Sequence, residues 1–132
     1  MVYNLHHIHL KSLDPERTAK WWSDTFNFEI LSDTTRELGD RFIRCSSENG
    51  ISVTISGPTP GQTLPESNAG AKLGLEHIAF EIEDIDAEIE RLEGVGAPVI
   101  EGPNELEDGT RFCWVQALDN VRVELIQWPT QT

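Results

Sequence analysis

Two stretches, LHHIHLKSLD at residues 5–14 and LEHIAFEIED at residues 75–84, decide the fold of this 132-residue chain because one repeats the other. Shifting the chain by 70 residues without a gap aligns identical residues at four positions of these stretches: Leu5, His7, Ile8 and Asp14 with Leu75, His77, Ile78 and Asp84. The same shift matches Ile30, Glu37, Gly39, Arg41, Phe42 and Val53 with identical residues of the second half. The chain therefore contains a duplicated module.

The first copy predicts a strand, a helix and three further strands. Asp14 is suited to cap a helix over residues 15–26, with Pro15 at its first position and Trp22 on its buried face. Turn residues at 48–50 predict a hairpin between the last two strands. The predicted strands cover residues 5–10, 28–33, 40–45 and 51–56.

The second copy predicts the same order of elements. Asp84 caps a helix that carries Ile85, Ile89 and Leu92 on one face, and glycines follow its end. The predicted strands cover residues 75–82, 98–100, 111–117 and 121–128. The fold class is thus α+β, a single domain at 1–132 made of two tandem βαβββ modules, with module 1 at 1–56, a Pro- and Gly-rich linker at 57–72 and module 2 at 73–132.

The composition excludes several classes of function for this chain. A net charge of −13 disfavours nucleic acid and anionic membranes as partners. No segment approaches a membrane span and the N-terminus has no signal-peptide pattern, so we expect a cytoplasmic protein with a small-molecule partner.

Cys45 and Cys113 have no metal-site spacing and are expected to be reduced strand residues. The repeated Arg-Phe pairs at 41–42 and 111–112 indicate a folding role common to both modules.

The motifs resemble those of the vicinal oxygen chelate superfamily, which includes glyoxalase I, bleomycin-resistance proteins and extradiol dioxygenases. The resemblance is carried by His7-Ile8 before Asp14, by His77-Ile78 before Asp84, and by the ending DNVRVEL at residues 119–125. It implies that the modules form an open, cup-shaped mixed β-sheet barrel with flanking helices, that the chain forms a homodimer, and that His7, His77 and Glu124 bind a metal ion.

Two imidazoles and one carboxylate are a set that holds Fe, Mn, Ni, Co or Zn and leaves coordination positions open. Glu124 is accordingly a candidate for both metal binding and catalysis. The 70-residue shift places Thr54 at the position that corresponds to Glu124. Glyoxalase I, a member of the family that this chain resembles, has a second carboxylate at that position. Thr54 is a poor ligand, which leaves a three-ligand site with room for water or a bidentate substrate. Thr54 is a candidate substrate-binding residue, and the alternative is an ordinary β-branched strand residue.

Two further side chains share the faces of these candidates. His9 lies two residues after His7, on the same side of the strand, and is the candidate acid or base; the alternative is a pocket-lining residue that donates a hydrogen bond. Arg122 shares the face of Glu124. Three roles are open for it: it binds a substrate anion, it pairs with the Glu124 carboxylate, or it is a solvated residue near the mouth of the site.

The leading interpretation is a metal-dependent isomerase or lyase of the glyoxalase type, whose small substrate chelates a divalent metal through two oxygens. One alternative is an Fe(II) ring-cleavage dioxygenase, which would use the same ligands. Another is a metal-free ligand-binding protein of the bleomycin-resistance kind, which four tryptophans and the negative charge suit. A site within one chain and a site shared by two chains both remain open.

Overall fold

In the computed structural model, which describes residues 1–130, each half of the chain folds around its own four-stranded mixed sheet. The chain divides into unit 1, Met1–Pro65, and unit 2, Glu66–Thr132. Residues 57–72, the predicted linker, contain neither helix nor strand. Among the described residues no helix is long and apolar enough to cross a membrane.

Unit 1 has the predicted βαβββ order. Its elements are β1 (Ile8–Lys11), α1 (Pro15–Phe26), β2 (Glu29–Thr35), β3 (Arg41–Ser46) and β4 (Ser52–Ser56). The strands lie in the order β1-β4-β3-β2, with β1 parallel to β4 and the other neighbours antiparallel. The predicted hairpin is thus the β3–β4 pair.

Unit 2 repeats this order and topology. Its elements are β5 (Ile78–Glu81), α2 (Ile85–Gly94), β6 (Val99–Glu105), β7 (Arg111–Gln116), a short 3-10 turn (Leu118–Asn120) and β8 (Arg122–Gln127). The strand order is β5-β8-β7-β6, with β5 parallel to β8. The α+β fold class and the tandem βαβββ modules are therefore confirmed.

Both helices begin at the predicted aspartates. A carboxylate oxygen of Asp14 accepts a hydrogen bond from the backbone N–H of Arg17 at 3.2 Å, and that of Asp84 accepts one from Ala87 at 3.1 Å. Each bond satisfies one of the N–H groups that a helix start leaves without a partner. Asn27, with φ 59°, ends α1 in the left-handed conformation.

One face of each sheet packs apolar side chains under its helix. In unit 1 the buried side chains are Ala19, Trp22, Phe28, Ile43, Cys45, Val53 and Ile55. In unit 2 they are Ile85, Leu92, Cys113, Val115, Val123 and Leu125. Both cysteines are free, as expected, and burial raises the pKa of each thiol to about 11. Strand alternation directs the intervening residues to the opposite face, where the candidate site residues lie.

The repeated arginines have the predicted folding role. Arg41 contacts Glu16 of α1 at 3.0 Å and Asp33 of β2 at 2.6 Å. Arg111 contacts Asp86 of α2 at 2.9 Å. Since Glu16 and Asp86 are also related by the 70-residue shift, the duplication preserves a tie between the third strand of each module and its helix.

The first strands and β6 differ from the predicted bounds. β1 and β5 begin at Ile8 and Ile78, three residues later than predicted, and Leu5 and Leu75 are exposed. β6 extends to Glu105, beyond the predicted end at residue 100. Its Gly102 has φ 87° and is followed by a proline, a combination that normally predicts a break but is tolerated in an edge strand with bulges.

Candidate functional site

His77 and Glu124 are brought together by parallel pairing within unit 2. Glu124 is the register partner of Ala79 on β5, two residues after His77, so the side chains of His77 and Glu124 project from one face. His77 Nε2 lies 3.7 Å from Glu124 Oε1, and both side chains are partly buried. His77 Nδ1 lies 3.3 Å from Glu76 Oε1, so a carboxylate faces each nitrogen of the ring.

An indole completes this face of unit 2. Trp114 on β7 is the register partner of Glu124, and its ring meets that of His77 edge-on with centroids 6.2 Å apart. Within residues 1–130, Trp114 Nε1 is buried and has no hydrogen-bond partner. A buried N–H without an acceptor is costly, so this indole N–H remains available as a hydrogen-bond donor.

Arg122 lies on the predicted face but does not contact Glu124. Its guanidinium pairs with Glu76 at 3.3 Å and with Glu101, and it donates a hydrogen bond to the Ala69 carbonyl at 2.9 Å. It also stacks 4.8 Å above the Trp114 ring. Since its side chain is only 4% exposed, the expectation of a solvated residue is wrong. A direct contact of Arg122 with substrate stays a prediction.

His7 lies in unit 1, immediately before β1, and is exposed. Its Nδ1 is 2.8 Å from the Nδ1 of His6, which is also exposed. Within residues 1–130, the structure gathers no group of three or more His, Cys, Asp or Glu side chains that could hold a metal ion. The ligand set of His7, His77 and Glu124 therefore stays a prediction, of which the His77–Glu124 pair is in contact range.

His9 is held by a serine that the sequence analysis missed. His9 Nε2 lies 2.6 Å from the hydroxyl of Ser56, which also accepts a hydrogen bond from Lys11 Nζ at 3.0 Å. Burial, followed by the charges of Lys11 and other cationic neighbours, lowers the pKa of His9 and favours its neutral form. The contact follows from the register, because parallel pairing of β1 with β4 places Ser56 opposite Lys11.

Thr54 is the register partner of His9 and is 3% exposed. Its position on the His9 face agrees with the alternation, and it has no carboxylate to add to the donor set. Trp114 and Glu76, like Ser56, became apparent only from the register, since neither residue belongs to a recognisable ligand spacing.

The sequence matches the family model of the glyoxalase/bleomycin resistance protein/dioxygenase superfamily over residues 6–114. It is 24% identical over 131 residues to the uncharacterized protein YwkD of Bacillus subtilis, an alignment that covers 96% of this chain and 98% of YwkD.

Solved structures share the fold. A glyoxalase family protein from Bacillus cereus superposes with a TM-score of 0.83 at 14% identity, covering 98% of this chain and 97% of that one. The fosfomycin resistance protein FosX from Listeria monocytogenes, solved in complex with Mn(II) and sulfate, superposes with a TM-score of 0.70 at 21% identity, covering 98% and 95%.

Proposed function

Since this chain belongs to the glyoxalase/bleomycin resistance protein/dioxygenase superfamily, we propose that it is a metal-dependent, glyoxalase-like enzyme of the isomerase or lyase type. Its small substrate chelates a divalent metal ion through two oxygens. The observation that carries the proposal is the 3.7 Å approach of His77 Nε2 to Glu124 Oε1. The Mn(II) in FosX supports a divalent ion in this fold.

The donor pair fits a metal ion on chemical grounds. When the proton of His77 is on Nδ1 and is donated to Glu76, the Nε2 lone pair and the Glu124 carboxylate are two electron-pair donors that one metal ion can share. Ligands about 2.0–2.2 Å from one zinc-like ion lie no more than about 4.3 Å apart, so the separation of 3.7 Å is compatible. A carboxylate on the outer nitrogen is the arrangement that usually orients a metal-bound histidine.

His77 and Glu124 would hold the ion, and His7 is proposed as the third ligand. The bound metal supplies Lewis-acid stabilisation of negative charge that develops on substrate oxygen. Trp114 Nε1, buried without an acceptor within residues 1–130, is placed to donate a hydrogen bond to such an oxygen. Arg122 fixes Glu76 and the indole through its contacts with both.

His9 is the proposed proton carrier. Ser56 engages its Nε2, so Nδ1 is the atom that takes the proton from substrate and later returns it. The lowered pKa of His9 keeps the imidazole neutral near pH 7, which a base requires. Thr54, beside His9, is proposed to contact the substrate through its hydroxyl.

We also propose the homodimer. Leu5 and Leu75, the matched residues before β1 and β5, are 92% and 75% exposed, and the neighbouring Val2, Tyr3 and Leu73 are exposed as well. Burying a leucine stabilises an assembly by about 1.5–3 kcal/mol, so these apolar segments favour association with a second copy. A Leu5→Lys variant should shift the mass measured by light scattering toward that of the monomer; a parent that is already monomeric at high concentration contradicts the proposal.

The first experiment is metal analysis by elemental mass spectrometry of untagged protein, followed by anaerobic reconstitution with Fe, Mn, Ni, Co or Zn. We expect near-stoichiometric metal in the parent and its loss in His7→Ala, His77→Ala and Glu124→Ala. His6→Ala is the matched control, because it removes the exposed neighbour of His7 and should keep the metal.

The outcomes distinguish the alternative functions. Bound iron together with oxygen consumption on a catechol would replace the proposal with a ring-cleavage dioxygenase. Failure of the parent to bind any of the five metals would overturn the enzyme proposal and leave a ligand-binding protein. Retention of metal by His77→Ala at the affinity of the parent would show that the ligands are other residues.

A further inference from the structure

The face of the unit 1 sheet opposite α1 carries three basic side chains. The register places His9 of β1 beside Thr54 of β4, and Thr54 beside Arg44 of β3. The next row contains Lys11 beside Ser56. Because register partners project to the same side of a sheet, the basic residues His9, Lys11 and Arg44 share one face. We call these three residues the basic face.

A buried hydroxyl fixes two members of the basic face. Ser56 is fully buried, and its Oγ is contacted by His9 Nε2 at 2.6 Å and by Lys11 Nζ at 3.0 Å. Lys11 Nζ also donates to the Gly57 carbonyl at 3.0 Å. An ammonium group has three donors, so one N–H of Lys11 is left for a ligand while the other two hold the group in place. His9, Lys11 and Arg44 are themselves exposed.

The cations of the basic face form no ion pair among the described residues; the Asp40 carboxylate interacts electrostatically with His9 and Lys11, but its ion pair is with Arg36. Within residues 1–130 six of the ten Lys and Arg side chains pair with a carboxylate, namely Lys20, Arg36, Arg41, Arg91, Arg111 and Arg122. Lys11 and Arg44 have no such partner in that part of the chain. In a protein of net charge −13, two unpaired cations on one sheet face create a local site for an anion.

Unit 2 has no equivalent of the basic face. The 70-residue shift matches Lys11 with Glu81, Arg44 with Trp114 and His9 with Ala79. The basic face is therefore a feature of one unit, as expected for a contact with an asymmetric ligand rather than for a duplicated folding role.

We propose that the basic face binds the anionic group of a small molecule, a carboxylate or a phosphate, through Lys11 and Arg44. Lys11 lies two strands and one two-residue row away from Arg44. With about 4.8 Å between strands and about 3.3 Å per residue, their backbones are about 12 Å apart. An anion contacted by Lys11 is thus within reach of a long Arg44 side chain. Insofar as this anion is a group of the substrate, the inference rests on the proposed function; anion binding itself needs no metal.

The test uses protein that has been stripped of metal with EDTA and then dialysed free of the chelator, since EDTA is itself a polycarboxylate; the ionic strength is held constant with sodium chloride. The metal proposal and the anion proposal then fail separately. Inorganic phosphate and succinate are each titrated to 50 mM, and amide chemical shifts are followed by NMR. We expect saturable shifts near β1 and β4 with at least one anion. Saturable shifts with phosphate alone identify a phosphate ligand, and saturable shifts with succinate alone identify a carboxylate ligand. Saturation by both anions identifies a general anion site.

Charge-removing variants localise the site. Lys11→Gln and Arg44→Gln should each weaken binding about tenfold, the effect of losing one charged hydrogen-bond partner. Arg17→Gln is the matched control, since it removes the same charge from an exposed position of helix α1 and should change affinity less than twofold. Lys11→Arg keeps the charge and should retain binding even if Lys11→Gln is destabilised. No saturable shift with either anion, or equal weakening in Arg17→Gln, overturns the proposal.

Discussion

Unit 1 and unit 2 share a scaffold, but the faces of their sheets differ in charge. Where unit 1 has Lys11 and Thr54, unit 2 has Glu81 and Glu124. Scaffold positions follow the opposite pattern, because the capping aspartates and the arginines that tie strand to helix are the same in both. The comparison teaches that the duplicated caps and arginines carry the fold, whereas most residues proposed for chemistry diverged; the proposed ligands His7 and His77 are the exception, since they are identical in both units.

The largest expected effect comes from giving unit 2 the residue of unit 1. Glu124→Thr should lower metal affinity by more than the 10–100-fold that loss of an outer-shell partner costs, because it removes a proposed ligand. Equilibrium dialysis with elemental analysis measures this, and circular dichroism checks the fold. Thr54→Val at the matched position should leave metal affinity unchanged. Equal metal affinity in Glu124→Thr and the parent would remove Glu124 from the site.

The second effect concerns Arg122, whose matched residue in unit 1 is Ser52. Arg122→Met should lower the free energy of unfolding by about 2–3 kcal/mol, because it removes a buried guanidinium with its charged hydrogen bonds. Ser52→Ala should change it by less than about 0.5 kcal/mol. Urea titration of both variants gives the difference; similar losses would mean that the Arg122 contacts contribute little.

The third effect should be the same in both units. Asp14→Ala and Asp84→Ala each remove one N-terminal cap and should each cost about 1 kcal/mol of unfolding free energy. Thermal or urea unfolding of the two variants checks the equivalence. A loss confined to one variant would contradict the view that the duplicated caps have equal structural roles.

The smallest expected effect is a change in acid stability that belongs to unit 1. Hydrogen bonds from Arg36 hold the pKa of Asp40 below its usual range; the matched residue in unit 2 is the uncharged Thr110. A carboxyl group whose pKa is lower in the folded than in the unfolded state stabilises the fold at pH values above its unfolded-state pKa of about 3.9. This stabilisation is lost as the pH falls through the folded-state pKa.

The variant Asp40→Asn should therefore be less stable than the parent at pH 7, with the gap closing below about pH 4. Melting temperatures measured from pH 7 to pH 3 test this. Asp24→Asn is the control, because its exposed pair with Lys20 contributes little. A gap that stays constant with pH would exclude the Arg36–Asp40 pair as its cause.

Most of the fold could be predicted from sequence because its signals are local. Asp14 and Asp84 mark the helix starts, and the spacing of Trp22, Ile85 and Leu92 identifies the buried helix faces. The first strands were predicted too long, since alternation continues through apolar residues such as Leu5 whether or not a neighbouring strand pairs with them. The length of β6 was missed because Gly102-Pro103 normally predicts a break.

The candidate site was only partly predictable. The 70-residue repeat singled out His77, the family resemblance added Glu124, and the structure brings this pair within 3.7 Å. Ser56, Glu76 and the buried Trp114 Nε1 were not identified, because their roles depend on which residue of a neighbouring strand lies opposite.

The sequence by itself determined the duplication, the order of elements, the helix caps and the faces to which His9, Thr54 and Glu124 belong. These follow from identity at a fixed shift and from periodicities of two and 3.6 residues, which act within one segment. Only the tertiary structure decided that Arg122 is buried between Glu76 and Glu101, and that Ser56 joins His9 to Lys11. Such contacts depend on strand register and on the burial that packing creates, and neither is encoded in a single segment.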